Sequence, residues 1–104
     1  MIGVENMADG YEYPLIDGLS VDEIIDLVNF FQTIEQAYEQ SSGIERSEFL
    51  EAYRRFQKIV PSKMEQKQLE SAFEERSGYN AYQVIKASKD EQNVNLKVRE
   101  AHNG

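Results

Sequence analysis

Hydrophobic side chains recur every three to four residues along two long stretches between positions 20 and 63. This spacing is typical of amphipathic α-helices, which bury one side and expose the other. The first stretch opens with Ser-Val-Asp-Glu at 20–23, a start signal in which serine and glutamate side chains bond the backbone reciprocally. Gly43 is suited to end this helix in a left-handed turn. The predicted apolar side consists of Ile24, Leu27, Val28, Phe31, Ile34 and Tyr38, and the polar side of Asp22, Asp26, Asn29, Thr33, Gln36 and Gln40.

The second stretch ends at Pro61, which lacks a backbone donor and disfavours helical geometry in the residue before it. A connection of a few residues between two long helices favours antiparallel packing. We therefore expect the two apolar sides to meet in one aromatic interface, with Phe31 and Phe56 in a shared interior. The apolar side of the second helix consists of Phe49, Ala52, Tyr53, Phe56, Ile59 and Val60.

Two further helices follow Pro61. The third is predicted over about 63–76 and has only a narrow apolar strip, so we expect it to pack at the periphery. A short fourth helix begins after Asn80. Before the first helix, Pro14 biases Tyr13 towards an extended conformation, which predicts an arm laid over one end of the bundle or, alternatively, a peptide-like ligand segment for another protein. The fold class is thus all-α: a small four-helix domain with a long antiparallel αα-hairpin, two shorter helices and an extended N-terminal arm.

The length of 104 residues predicts one domain, which we place at 11–90. Residues 1–10 are polar and aperiodic and are expected to form a flexible N-terminal tail, and residues 91–104 a flexible C-terminal tail. Val94, Leu96 and Val98 alternate with polar residues as a strand would. A lone strand has no partner in this prediction, so we interpret the segment as coil.

The charge is acidic overall and unevenly distributed. The net charge is −8, and residues 1–45 contain ten acids and no lysine or arginine. One interpretation is internal pairing with basic residues of the second helix; the other is an acidic face for a basic protein partner. A net acidic surface disfavours nucleic acid. Without a membrane-length apolar run or a signal peptide, we expect a cytoplasmic protein with no membrane partner.

Residues suited to catalysis or cofactor binding are scarce. The chain has no cysteine, and its one histidine, His102, lies near the C-terminus. We therefore assign no catalytic residue, cofactor or metal ligand. Glu35 falls within the apolar arc of the first helix and is expected to pair, at the edge between the first two helices, with an arginine such as Arg55. The rival hypothesis is a small enzyme or ligand-binding protein with an inter-helical pocket around Glu35, Tyr38 and Tyr53.

The favoured hypothesis is a non-catalytic protein-interaction or regulatory module. Ile25 and Leu50 project to the side of their helices' apolar faces, where they are either covered by other elements or seed an exposed patch. This hypothesis predicts an unknown protein partner, for which a basic surface is one interpretation, and a homodimer is an alternative. The candidate interaction surface consists of Tyr11, Tyr13, Asp22, Ile25, Asp26, Leu50, Tyr79 and Tyr82.

Several separated motifs occur together in a recognisable order. They are Tyr-Pro-Leu at 13–15, Val-Asn-Phe-Phe at 28–31, Glu-Ala-Tyr-Arg-Arg-Phe at 51–56, Ile-Val-Pro-Ser-Lys at 59–63 and Ser-Gly-Tyr at 77–79. Over about residues 11–89 the chain resembles uncharacterised protein family 0223, small proteins of Gram-positive bacteria without an assigned function. The resemblance implies a compact cytoplasmic helical domain and transfers no catalytic residue.

Overall fold

The structure is a computed structural model that describes residues 4–6 and 11–99, with side chains described for residues 13–99. Four helices form the body, and two small two-stranded antiparallel sheets lie at its edges. The all-α prediction is therefore confirmed, with the sheets as an addition. In chain order the elements are β1 (Val4–Asn6), β2 (Tyr11–Tyr13), α1 (Val21–Glu39), β3 (Ile44–Glu45), α2 (Arg46–Ile59), α3 (Lys63–Ser77), α4 (Ala81–Ser88) and β4 (Asn95–Leu96).

Side-chain caps begin three of the four helices where the sequence predicts them. Ser20 Oγ accepts a hydrogen bond from the Glu23 N–H at 3.1 Å, and Glu23 Oε1 accepts from the Ser20 N–H at 2.9 Å, so the reciprocal cap of α1 is confirmed. Ser62 caps α3 and Asn80 caps α4 through single side-chain bonds. Because these bonds satisfy backbone donors that a helix start leaves open, they fix where each helix begins.

Aromatic rings hold α1 and α2 together. Phe30 and Phe56 stack with ring centroids 4.2 Å apart, and Phe31 meets Phe56 edge-on at 6.2 Å. All three side chains are fully buried, so the predicted aromatic interface of the antiparallel hairpin is confirmed. Thr33 corrects the predicted polar side of α1: it is buried, and its hydroxyl donates to the Phe30 carbonyl at 2.6 Å, which removes the cost of burying it.

α3 contributes more to the core than its narrow apolar strip predicts. α3 has 15 residues and α2 has 14, so α3 is not shorter than this hairpin helix as predicted, and its Phe73 is fully buried. The Phe73 ring stacks on Phe31 at 4.7 Å and on Tyr13 at 6.3 Å. Tyr13 is 2% exposed and also stacks on Phe31, so β2 is an arm packed over the bundle, as the first interpretation of that segment predicts.

The interpretation of residues 94–98 as coil is wrong. β4 pairs with β3 in antiparallel register, with Leu96 opposite Ile44, and both side chains are buried. The sequence pattern does not indicate the partner strand, because β3 has only two residues, too few to show alternation, and lies directly before α2. Secondary structure therefore extends beyond the predicted 11–90 domain on both sides, since β1 pairs with β2 in the same antiparallel manner. The predicted flexibility of the tails stays a prediction, and residues 1–3, 7–10 and 100–104 lie outside the described residues.

Gly43 lies in the turn between α1 and β3 and does not end the helix, which stops at Glu39. Its φ of 73° is in the left-handed region, and a Cβ at this position would overlap the carbonyl oxygen of Leu96. Glycine is therefore needed here for two reasons: the left-handed backbone conformation and the close approach of β4. Lys97 adds to this contact because its Nζ donates to the carbonyl oxygens of Tyr38 and Gln40, each at 2.7 Å.

We expect Gly43→Ala to destabilise the fold more than Gly18→Ala. Gly18 also has a positive φ, of 88°, but a Cβ there meets nothing within 4 Å. The left-handed conformation alone costs alanine about 1–2 kcal/mol, and overlap with Leu96 should add at least about 1 kcal/mol. Urea unfolding of both variants measures the difference. Equal losses would show that β4 does not approach Gly43 closely.

Tyr13→Ala should lower the free energy of unfolding by about 3 kcal/mol or more, because it empties an aromatic site between α1 and α3. Tyr82→Ala is the matched control, since Tyr82 is 56% exposed and its loss should change stability by less than about 0.5 kcal/mol. Urea denaturation followed by circular dichroism gives both values. A small effect at Tyr13 would contradict the docking of the arm.

Candidate interaction surface

The side of α1 that faces away from the core carries exposed hydrophobic residues. Val21 is 73% and Ile25 58% exposed, which is uncommon for large aliphatic side chains that lie next to each other. They line a shallow depression of about 410 Å³ along the helix. We call this surface the outer face of α1 and define it by Val21, Ile24, Ile25, Val28, Asn29 and Gln32.

The outer face arises because the first turns of α1 are hydrophobic on two sides. Successive residues are about 100° apart around a helix, so Ile25 and Leu27 point about 160° away from each other. Leu27 is fully buried while Ile25 is exposed. Ile24 and Val28 lie between these directions and are half-buried. The helix therefore presents one apolar side to the core and a second one to solvent.

Negative charge accompanies the outer face. Asp22 is exposed and Asp26 is partly exposed, and they follow one turn apart along one edge. α1 carries five acidic residues and no lysine or arginine. A hydrophobic strip next to unneutralised carboxylates differs from an ordinary solvated helix face, because both features favour a ligand with basic groups beside apolar ones.

The structure divides the predicted interaction residues between several locations. Asp22, Ile25 and Asp26 lie together on α1, and Ile25 is exposed, as the second interpretation of this residue predicts. Tyr13 corrects the prediction because it is a core residue, and its ring is unavailable to a partner. Leu50 is half-buried and packs against the core, as covering by other elements predicts.

The remaining predicted tyrosines do not join the outer face of α1. Tyr79 is half-buried, stacks on Tyr38 at 4.7 Å and donates to Glu39 Oε2 at 2.6 Å. Tyr82 is exposed, but it lies beside α3 rather than α1. The side chain of Tyr11 is outside the described side chains.

Sequence reasoning missed three hydrophobic members of the outer face. Val21 belongs to the capping sequence, and Ile24 and Val28 were assigned to the buried side. The signal in the sequence is the width of the apolar arc: apolar residues at 21, 24, 25, 27 and 28 cover about 160° around the helix, whereas one core interface needs a stripe of about 100°. Which part of this arc stays uncovered depends on where α2 and α3 pack.

A second depression, of about 250 Å³, lies between α3 and the start of α4. Glu70 lines it, and burial raises the pKa of this carboxyl, an effect that the charge of Lys67 partly offsets. Burial also raises the pKa of Tyr53, and the charge of Glu70 raises it further. Glu74, at the same depression, accepts hydrogen bonds from Asn80 Nδ2 at 3.2 and 3.3 Å, so this carboxylate stabilises the start of α4.

The residues of the rival pocket do not converge. Tyr53 stacks on Phe30 at 5.7 Å, whereas Tyr38 lies eight residues further along α1, about 12 Å of helix axis away. The Tyr38 hydroxyl bonds the backbone of Asn80 instead, donating to its carbonyl and accepting from its N–H, each at 3.1 Å. Glu35 is buried at 6% exposure. Arg55 pairs with Glu51 on its own helix at 3.5 Å, and the pairing of Glu35 with an arginine such as Arg55 stays a prediction.

Two further features are absent from the described part of the chain. Across residues 4–6 and 11–99, histidine and acidic side chains do not gather in a group of three or more that could hold a metal ion. No helix within the same ranges has both the length and the apolar character needed to cross a membrane.

Comparison with known proteins places this sequence in a family. The model of the uncharacterised protein family UPF0223 matches residues 10–97. The chain belongs to this family. A UPF0223 protein of Oceanobacillus iheyensis is 47% identical over 88 residues, which cover 85% of this chain and 98% of the relative. UPF0223 protein YktA of Bacillus subtilis is 41% identical over 88 residues, again 85% and 98% of the two chains.

A UPF0223 protein of Staphylococcus aureus is 44% identical over 90 residues, 84% of this chain and 97% of the relative. The predicted family resemblance is thus confirmed, and the family description gives no activity, in agreement with an unknown function. The family match ends at residue 97 and so contains α1 with its outer face as well as β4, beyond the predicted limit of 89.

We expect Glu70→Gln to stabilise this UPF0223 protein at pH 7. A carboxyl whose pKa is raised in the folded state contributes stability below the ordinary glutamate pKa, and this stability is lost as pH rises through the raised value. The urea midpoint of Glu70→Gln should therefore exceed that of wild type at pH 7 and equal it below about pH 4.

Glu75→Gln is the matched control for this experiment because Glu75 is exposed on the same helix. Its urea midpoint should follow the wild-type midpoint throughout the pH range. A gain for Glu70→Gln that stays constant from pH 4 to 7 would contradict burial of the charged carboxyl as its cause.

Proposed function

We propose that this protein is a non-catalytic protein-interaction module of the cytoplasm that binds a partner through the outer face of α1. The observation that carries the proposal is the exposure of Val21 and Ile25 beside Asp22 on one helix side. Contact of adjacent aliphatic side chains with water is unfavourable in free energy. A partner surface that covers them removes this cost.

The charge of the chain defines the chemistry of this partner. Residues 1–45 contain ten acids and no lysine or arginine, and α1 lies within this range. A protein segment that places basic groups next to apolar ones fits both features of the outer face. Nucleic acid and anionic membrane surfaces carry the same charge sign as α1 and are disfavoured by repulsion.

Crosslinking inside the cell tests the proposal directly. A photoreactive amino acid replaces Asn29, at the edge of the outer face, so that the aliphatic residues stay intact. We expect irradiation of the source bacterium to give a discrete crosslinked protein. Ile25→Ser in the same chain should abolish this product, because it removes the apolar contact without changing the charge.

Two controls separate the outer face from the rest of the surface. Val94 is 74% exposed and lies outside α1, so Val94→Ser should leave the crosslink from position 29 unchanged. The photoreactive group at Gln68, exposed on α3, should give no such product. A crosslink that survives Ile25→Ser, or equal crosslinking from position 68, would contradict binding through α1.

A further inference from the structure

We propose that the segment bound by the outer face of α1 is an amphipathic helix of about three turns, with lysine or arginine along one edge of its apolar stripe. This inference rests on the proposed interaction function and specifies the occupant. It depends on three properties of the face: its length, the pairing of its backbone hydrogen-bonding groups within the helix and the position of its charges.

The length of the face matches a short helix. The outer face runs from Val21 to Gln32, which spans about 17 Å along the axis of α1. A partner helix of about 11 residues has the same length. The apolar residues at 21, 24, 25 and 28 form two neighbouring ridges of residues four apart, 21 with 25 and 24 with 28, and such ridges pack into the grooves of another helix.

The backbone of α1 excludes recognition by strand addition at this face. A bound strand needs unpaired N–H and C=O groups along a sheet edge. Within a helix these groups bond to each other, and at the start of α1 the reciprocal Ser20–Glu23 pair satisfies the N–H groups of Ser20 and Glu23. Recognition on the outer face is therefore made by side chains, as in the packing of an amphipathic helix into a groove.

The charges select the edge on which the partner carries its basic residues. Asp22 and Asp26 are four residues apart and lie on the same edge of the outer face. Lysine or arginine residues three or four apart on the partner helix would meet both carboxylates. Such pairs at a solvent-exposed rim contribute modestly to affinity and strongly to the rate and orientation of association.

A second copy of this chain fits the face poorly. Two α1 helices packed antiparallel about a twofold axis bring the same edges together, so Asp22 and Asp26 of both copies would lie side by side. α1 has no lysine or arginine that could neutralise them. The face therefore favours a different protein with a basic helix over an isologous dimer.

The test is binding of a designed helix to the full chain. The probe is a fluorescein-labelled, amidated 14-residue peptide with leucine and isoleucine along one side and lysine elsewhere. We expect saturable one-to-one binding in fluorescence anisotropy. Ile25→Ser should weaken it by at least about tenfold, and the double substitution Asp22→Asn with Asp26→Asn by about three- to tenfold.

Matched variants keep the result specific. Val94→Ser should change the affinity less than twofold, and so should Glu75→Gln combined with Glu91→Gln, which removes the same number of charges elsewhere on the exposed surface. A peptide of identical composition with its apolar residues scrambled should bind at least about tenfold more weakly. Equal weakening by both double variants, or equal binding of the scrambled peptide, would overturn the proposal.

Two outcomes distinguish this inference from the proposed function. If crosslinking from position 29 depends on Ile25 but the designed helix does not bind, the interaction function stands and the helical, basic occupant is wrong. If sedimentation velocity shows dimers that Ile25→Ser dissociates, the face belongs to a second copy, which also overturns the inference. If the chain with the photoreactive group at position 29 and with Ile25 intact gives no crosslinked protein, both the proposed function and this inference are wrong.

Discussion

Stacking of aromatic rings from four different elements is the interaction on which the structure depends. Tyr13 of β2, Phe31 of α1 and Phe73 of α3 form one stacked group, and Phe30 joins it to Phe56 of α2. Each well-placed ring pair contributes about 0.5–1.5 kcal/mol beyond the area that it buries. Because α1 supplies two adjacent rings, its rotation about its own axis is fixed by contacts on both sides.

This fixed rotation of α1 determines what remains for function. Once Phe30 and Phe31 face α2 and α3, the direction of Ile25 is set by helix geometry and points to solvent. The outer face is thus a consequence of core packing and of a hydrophobic sequence that continues around the helix. An ordinary surface helix would place polar residues there, so the retained aliphatic residues support an interaction role.

The C-terminal part of the family domain stabilises the far end of the same helix. α1 has no basic residue in its last turn, where the helix dipole is negative and carbonyl groups have no partner within the helix. Lys97, next to β4, supplies the cation. Its Nζ donates to the carbonyl oxygen of Tyr38 in this last turn and to that of Gln40 just beyond it, which also accepts from the Gly43 N–H. The contact joins residues 57 and 59 positions apart, so periodicity along the chain gives no indication of it.

Local sequence determined the features that depend on neighbouring residues: the Ser20 cap, the helix-stopping Pro61, the four helices and the aromatic hairpin. It also determined that Ile25 lies off the core stripe. Only the tertiary structure decided that Tyr13 is buried, that Leu96 finds a partner strand and that Val21, Ile24 and Val28 extend the exposed face. The physical reason is that periodicity specifies the direction of each side chain around its helix, whereas burial depends on which other elements cover that direction.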